Sequence, residues 1–276
     1  MTRGTATAVG FGAVLLWATL ALLTTLAGGV PPFQLLAVCF AVGGLLGLAR
    51  GLPRGVPAGA WAAGVAGLFG YHLLYVLALR SAPPVEASLI AYLWPLLIVL
   101  ASAAVQRLRR RHVAGATLGL AGAALVVTGG RGLAFEPAAG HGIALLAAVV
   151  WTAYSVGARR WAAVPTTAVT GYCLGAAALA GAAHLALEDW VRPTPGGWLA
   201  LLGLGLGPVG AAFFLWDVGC KRGDLAVLGA SSYAAPLLST LLLVAVGLAE
   251  ATWSLALACA LIAGGAGLAA SGMARR

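Results

Sequence analysis

Tyrosines, tryptophans and one histidine recur in the middle of long apolar stretches of this 276-residue chain. Tyr71 and Tyr75 are four residues apart, so they share one face of a helix, and His72 lies beside them. A tyrosine hydroxyl this far from the ends of an apolar segment requires a hydrogen-bond partner or a wet cavity. Such side chains can bind a polar group by hydrogen bonds and an aromatic group by ring contacts. For His72, a buried neutral packing role and a proton-linked role both remain open.

We therefore predict a cavity walled by aromatic rings and hydroxyl groups. The alternative is ordinary helix packing with internally bonded hydroxyls. The predicted substrate-binding residues are Trp17, Tyr71, His72, Tyr75, Tyr92, Trp94, Trp151, Tyr154, Ser231, Ser232 and Tyr233. Other tryptophans lie near the ends of apolar segments, where the ring typically anchors a helix at the membrane interface. These are Trp61, Trp161, Trp190, Trp198 and Trp253.

Two prolines, Pro95 and Pro236, lie inside apolar segments and are predicted to act as hinges. Proline has no N–H, so Pro95 and Pro236 should leave the carbonyls of Ala91 and Ser232 without their helical donors. Free carbonyls are costly in lipid and are expected to face protein or a wet cavity. A kink at Pro95 would also let Tyr92 and Trp94, two residues apart, approach one cavity. A kink that only shapes packing is the alternative.

Composition places these residues in a membrane. Hydrophobic residues make up 62% of the chain and charged residues 8%, with a mean hydropathy of +1.00. We predict an all-α integral membrane protein with ten transmembrane helices, each about 17–24 residues long, which suits a hydrocarbon core of ~30 Å. The predicted spans are roughly 5–27, 32–50, 58–80, 84–105, 113–129, 138–158, 166–187, 197–220, 225–247 and 252–271.

Basic residues set the predicted orientation. Of the 16 Lys and Arg residues, only Arg80, Arg131 and Arg192 fall on the side opposite the N-terminus. The positive-inside rule then places both termini in the cytoplasm of a bacterial inner membrane. The net charge of +9 is a topology signal here and not a nucleic-acid-binding surface, because the basic residues are confined to short loops.

A faint duplication divides the chain. AYLWPLLIVL around Tyr92 and SYAAPLLSTL around Tyr233 share Tyr-x-x-Pro-Leu-Leu, and at the same offset Arg80 matches Lys221 and Tyr75 matches Trp216. We predict two five-helix repeats, residues 1–131 and 132–276. Because five is odd, the repeats insert with opposite topology, which supplies the pseudo-symmetry that alternating access requires.

Two inverted five-helix repeats, with a Pro centred in helices 4 and 9 and a Trp centred in helices 1 and 6, resemble the EamA-type members of the drug/metabolite transporter superfamily. The tyrosine-rich helices 3 and 4 resemble its YddG-type exporters. The resemblance implies an inner-membrane exporter of amino acids, aromatic ones included. It also implies small-molecule and lipid partners and no nucleic acid, and we expect a functional monomer.

Two alternatives have other chemistry. A carrier of drugs, sugars or nucleotide-linked metabolites would share the fold, although phosphorylated substrates favour intramembrane Arg or Lys, and none is central. A membrane enzyme acting on lipid would need a cluster of Asp, His or Glu at one face. The closest candidate is Glu188 and Asp189 near His184, for which we expect no further partner. No cofactor or metal is expected, because the four cysteines lack metal-ligand spacing.

The orientation is testable with single cysteines. Arg109→Cys should resist a membrane-impermeant maleimide added to intact cells, because it lies in a loop predicted to be cytoplasmic. Glu136→Cys should react, because its loop is predicted to be external. The reverse pattern would overturn the orientation.

Overall fold

The computed structural model describes residues 1–49, 51–131 and 137–271, and all regular structure in these ranges is helical. Four charged residues that bear on the predicted orientation lie outside the described residues: Arg50, Glu136, Arg275 and Arg276. The helices are α1 (Arg3–Trp17), α2 (Leu20–Ala27), α3 (Pro32–Leu48), α4 (Ala58–Ser81), α5 (Pro84–Ala91), α6 (Trp94–Ala101), α7 (Arg110–Thr128), α8 (Ala139–Gly157), α9 (Ala168–Leu187), α10 (Pro195–Leu206), α11 (Ala212–Arg222), α12 (Leu225–Ser231), α13 (Ala234–Ala245) and α14 (Trp253–Ala270).

The helices are long and apolar, as a membrane protein requires. Nine continuous helical runs in the described ranges are long and apolar enough to cross a bilayer, and α3 is a shorter apolar helix of 17 residues. The outer limits of these runs lie within three residues of the predicted spans. Proline at the first turn of α3, α5 and α10 helps to set where they begin, since that position needs no N–H donor.

Three runs are broken near their middle. Short turns separate α1 from α2, α5 from α6 at Tyr92–Leu93, and α12 from α13 at Ser232–Tyr233. The last two breaks come two to four residues before Pro95 and Pro236, where the proline removes a helical hydrogen bond. A fourth irregularity, a π-helical turn over Gly207–Ala211, joins α10 to α11 and was not predicted.

One prediction about these breaks is wrong. The Ser232 carbonyl is not free, because it accepts a hydrogen bond from the Ala235 N–H at 3.0 Å. At the break the carbonyl is bonded to the residue three positions later instead of four, so Ala235 supplies the donor that Pro236 lacks. The hydroxyl of Ser232 is also bound, donating to the Leu228 carbonyl at 2.7 Å.

Small residues let the helices approach closely. The most extensive pairings are α7 with α14, α3 with α9, α4 with α8, and α1 with α11. A Cβ at Gly43 would lie 2.8 Å from the Cα of Gly210, and a Cβ at Gly115 would collide with the carbonyl oxygen of Gly265. Gly43 and Gly47, and likewise Gly115 and Gly119, have the GxxxG spacing that favours close helix packing in lipid, and both pairs are occupied by packing within the chain.

The acidic cluster near His184 has a structural role. Glu188 accepts hydrogen bonds from the N–H groups of Phe33 and Gln34 at the start of α3 and pairs with Arg80 at 2.9 Å. His184 lies 3.2 Å from the same carboxylate. The expectation that this acid had no further partner is wrong, because it caps α3 and ties α3 to the ends of α4 and α9.

We predict that Gly265→Ala destabilises the folded protein by about 1–3 kcal/mol, because its methyl group would press on the Gly115 backbone, which cannot move aside. Thermal unfolding in detergent measures the effect. Gly267→Ala is the control on the same helix, since nothing lies within 4 Å of its added Cβ. Equal stability of the two variants would contradict the close packing of α7 on α14.

Candidate substrate cavity

A cavity of about 400 Å³ lies at the centre of the helix bundle. Its wall is formed by Trp17, Leu20, Ala21, Thr24, Tyr71, His72, Tyr75, Ser88, Ala91, Tyr92, Trp94, Trp151, Pro208, Val209, Phe213, Ala235 and Ser239. None of these residues is an Asp, Glu, Lys or Arg. The wall is therefore apolar with a few hydroxyl groups, which is typical of a site for a small organic ligand.

Tryptophan rings form the floor of the cavity. Trp17 is central among them, with ring centroids 5.0 Å from Trp216, 5.8 Å from Trp151 and 6.1 Å from Trp94. The contacts are mostly edge-to-face or tilted, the geometry that aromatic quadrupoles favour. The Trp17 indole N–H donates to the Pro208 carbonyl at 3.1 Å, inside the π-helical turn. That bond ties the floor of the cavity to the irregular part of the α10–α11 run.

Tyrosines and His72 form one side wall. Tyr71 and Tyr75 stack with centroids 6.0 Å apart and an interplanar angle of 2°. The Tyr75 hydroxyl is 3.1 Å from the hydroxyl of Ser88, and His72 Nδ1 is 2.7 Å from the Leu68 carbonyl oxygen. The Leu68 carbonyl fixes Nδ1 of a neutral imidazole as the donor, so Nε2 is left as an acceptor.

The cavity extends from this floor towards one end of the bundle. Leu20, Ala21 and Thr24 line it along α2, and Thr24 is exposed at its rim. Ser88 near the start of α5 and Ser239 in the middle of α13 lie on the same side. The opening thus lies at the end where α2 and α4 finish and α5 begins.

The opposite end of the bundle is closed by a polar network around Asp224. The Asp224 carboxylate caps α12 through the N–H groups of Ala226 and Val227 and pairs with Arg3 at 2.9 Å. It also accepts from the Gln106 amide at 2.9 Å. Helix α1, the segment after α6, and α12 are therefore joined at a single carboxylate.

Two further contacts extend this closure. The Asp224 N–H donates to the Thr7 hydroxyl at 2.8 Å. The Arg159 guanidinium, at the end of the α8 run, donates to the carbonyls of Cys220 and Gly223. We call the set Arg3, Thr7, Gln106, Arg159 and Asp224 the closed-end network. It connects five of the helical runs that also line the cavity.

The structure brings seven of the predicted residues together in the cavity wall. These are Trp17, Tyr71, His72, Tyr75, Tyr92, Trp94 and Trp151. Tyr92 and Trp94 both line the cavity because the chain turns between α5 and α6. The sequence predicts that a kink near Pro95 would allow this.

Four predicted residues lie elsewhere. Tyr233 is fully buried, its ring fills the space beside Gly119, and its hydroxyl accepts from the Leu96 N–H at 3.2 Å. Ser232 is fully buried with its hydroxyl bonded to backbone, and Ser231 precedes it outside the cavity wall. Tyr154 packs on Trp151 but faces a different pocket. The Tyr-x-x-Pro-Leu-Leu motif therefore places its tyrosine in the cavity wall in the first copy and not in the second.

Sequence reasoning missed several wall residues, and two of them carried a signal. Ser88 lies four residues before Tyr92 and therefore shares its helix face. Phe213 lies 141 positions after His72, the same offset that relates Tyr92 to Tyr233. The other missed polar residues, Thr24 and Ser239, have no partner pattern in the sequence that would single them out.

The described helices define a multi-pass α-helical membrane protein with a central cavity. The EamA-like transporter family matches residues 5–128 and 138–271, and the chain belongs to that family. It is therefore a transporter and not an enzyme, which contradicts the alternative of a lipid-modifying membrane enzyme.

Curated relatives and a solved structure are similar along nearly the whole chain. The aromatic amino acid exporter YddG of Ancylobacter novellus is 53% identical over 281 residues, covering 98% of each chain. The aromatic amino acid exporter YddG of Escherichia coli K12 is 26% identical over 263 residues, 88% of each. A solved structure titled "Crystal structure of protein" has a TM-score of 0.93 at 52% identity, over 97% of this chain and 99% of that one.

The cavity predicts which engineered cysteines react with a water-soluble reagent. Ser88→Cys should be modified by a charged methanethiosulfonate, because Ser88 lines the open cavity. Ser102→Cys, on the same helical run, should not, because Ser102 is fully buried and bonded to the Val99 carbonyl. Modification is read as the mass increase over the wild-type chain, which carries four cysteines of its own. Equal labelling of both positions would contradict the cavity.

Proposed function

We propose that the chain exports amino acids, aromatic ones included, across a bacterial inner membrane. The observation that carries this proposal is the 53% identity, over 98% of both chains, to a protein named an aromatic amino acid exporter. The aromatic cavity supports it independently, since ring walls of Tyr71, Trp94 and Trp151 suit an aromatic side chain. The lack of Arg or Lys in the wall argues against phosphorylated metabolites.

The zwitterionic head of the substrate has matching groups in the same cavity. Hydroxyls of Thr24, Ser88 and Ser239 and the imidazole of His72 offer donors and acceptors without a fixed charge. The rings of Trp17 and Trp151 can also hold an ammonium by cation–π attraction. Together these residues, with Tyr75 and Tyr92, are proposed to bind the substrate. Ser231, Ser232 and Tyr233 are left out of this proposal because they do not line the cavity.

We also propose ten spans arranged as two inverted repeats, residues 1–131 and 132–276. The helix pairings support this proposal. When the ten spans are numbered in order, α3 and α9 are helices 2 and 7, and α7 and α14 are helices 5 and 10. Each of these pairs brings a helix of the first repeat against the equivalent helix of the second. The pair α4–α8 joins helices 3 and 6, and the pair α1–α11 joins helices 1 and 8. The repeat relates each helix to the one five positions along, so it converts the first of these pairs into the second. The matching breaks at Tyr92–Leu93 and Ser232–Tyr233 add to it.

The same elements support export by alternating access. The cavity is open at one end and sealed at the other by the closed-end network, which contains Arg3 and Arg159 on the side rich in basic residues. The positive-inside rule makes that side cytoplasmic, with both termini there. The structure then corresponds to an outward-facing state. To load substrate from the cytoplasm, the bonds to Asp224 must separate while the outer ends close, with Pro95 and Pro236 as hinges.

Truncation of cavity tyrosines should weaken transport selectively. We expect Tyr71→Ala, Tyr75→Ala and Tyr92→Ala each to lose roughly 1–3 kcal/mol of substrate binding, which is about five- to 150-fold in apparent affinity. The loss should be larger for phenylalanine than for alanine, because the ring contacts serve the side chain. Counterflow of both amino acids in proteoliposomes measures it.

Trp61→Ala is the control for this series. Trp61 packs against Tyr172, with ring centroids 5.4 Å apart, and does not line the cavity. Its apparent affinity should stay near wild type. Small and uniform losses across the three tyrosine variants and Trp61→Ala would contradict the cavity as the substrate site.

A further inference from the structure

A second, smaller pocket of about 110 Å³ lies between α4, α8, α9 and α11, towards the closed end of the bundle. Ala63, Ala153 and Gly157 are exposed, so small residues form part of its rim. Its remaining wall is formed by Ala60, Gly64, Tyr154, Ala158, Arg160, Trp161, Tyr172, Asp217 and Lys221. We call it the inner pocket. Neither the cavity nor the closed-end network accounts for its polar groups.

The polar groups of the inner pocket are buried but incompletely bonded. Asp217 Oδ2 accepts from the Thr166 hydroxyl at 2.7 Å and from Lys221 Nζ at 2.9 Å, while Oδ1 has no partner among the described residues. Lys221 Nζ also donates to the Val164 carbonyl at 2.9 Å, so two of its three protons are used.

Tyr154 adds an unpartnered hydroxyl. Its side chain is buried, with 8% of its surface exposed, and its oxygen has no hydrogen-bond partner among the described residues. Leaving such a group unbonded costs roughly 1–3 kcal/mol, so the position calls for a ligand or ordered water. The Tyr154 ring packs on Trp151, a residue of the central cavity wall, with ring centroids 5.3 Å apart.

These spare bonding positions match one chemical class. Asp217 offers an acceptor to a cation, while Lys221 and Tyr154 offer donors to an anion. A purely anionic ligand would be repelled by Asp217, and a purely cationic one by Lys221. A molecule with adjacent ammonium and carboxylate groups satisfies all three side chains at once.

We propose that the inner pocket binds the ammonium–carboxylate head group of an amino acid entering from the closed, cytoplasmic side. The α-ammonium donates to Asp217 Oδ1, and the α-carboxylate accepts from Lys221 Nζ and the Tyr154 hydroxyl. The pocket has room for the head group only, so the side chain extends past the small residues at the rim. This inference rests on the proposed function, because it assigns a second site for the same substrate class.

The exposed Arg160 supports this assignment. It borders the inner pocket, and its guanidinium lies 5.6 Å from the ring centroid of Trp161. A positive charge at the rim attracts the carboxylate end of a zwitterion first, which orients it with that end towards Lys221. The ammonium of phosphatidylethanolamine and its phosphate share the same chemistry, so the test separates lipid from amino acid.

Equilibrium binding of tritiated phenylalanine in nanodiscs of phosphatidylcholine and phosphatidylglycerol tests the proposal. These lipids carry no primary amine. We expect two classes of site per chain in the wild type. Tyr154→Phe should weaken one class at least about tenfold, because it removes a hydrogen bond to a charged group. Tyr154→Phe should fold normally, since the Tyr154 hydroxyl has no hydrogen-bond partner to lose among the described residues.

Two variants complete the test. Asp217→Asn should weaken the same class as Tyr154→Phe, while Tyr71→Ala, in the central cavity, should weaken only the other. A single class of site, insensitive to Tyr154→Phe but lost in Tyr71→Ala, would overturn the inner pocket and leave the proposed function standing. If added phosphatidylethanolamine abolished the class of site that Tyr154→Phe weakens, the assignment of the inner pocket to an amino acid would be overturned. Absence of any saturable binding would contradict the proposed function itself.

Discussion

One buried carboxylate, Asp224, determines which end of this bundle is closed. In a protein surrounded by lipid, a carboxylate is tolerated only where several donors surround it, and here they come from Arg3, Gln106 and the first turn of α12. Because those donors belong to different helical runs, satisfying the charge brings the runs together. The runs can then diverge only towards the other end, and the cavity fills the space between them.

The two halves of the chain use the same motif for different purposes. Tyr92 lines the cavity, whereas Tyr233, 141 positions later, is fully buried against Gly119. Tyr75 forms part of the polar wall, while its counterpart Trp216 is fully buried against Trp17 and donates its indole N–H to the Ser155 hydroxyl at 3.0 Å. Under the proposed inverted repeat, these buried residues of the second half are the ones that an inward-facing state would expose.

The sequence was sufficient for the helical segments, because hydropathy and proline positions report directly on what lipid tolerates. It also identified the cavity residues of helices 3 and 4, since Tyr71 and Tyr75 share a face and Pro95 breaks the helix beside Tyr92. It failed for Tyr233 and Ser232, because the repeat pattern contains no information on which copy faces the open end.

Other features depend on contacts between distant segments. Besides His184, the partners of Glu188 are Arg80 and the start of α3, which lie more than 100 residues away, and no local pattern in the sequence reveals these two. The π-helical turn at Gly207–Ala211 likewise depends on packing of Gly210 against Gly43. The unpartnered hydroxyl of Tyr154 can be recognised only once its neighbours are known.

Alternating access is the central claim, and electron–electron distance measurements between spin labels test it most directly. Labels at Ser81 and Val246 report on the open end, and labels at Arg107 and Arg222 report on the closed end; all four positions are exposed. On addition of phenylalanine, the account predicts a new population in which the Arg107–Arg222 distance grows and the Ser81–Val246 distance shrinks. Two distances that stay unchanged, or that move in the same direction, in protein that still performs counterflow would contradict it.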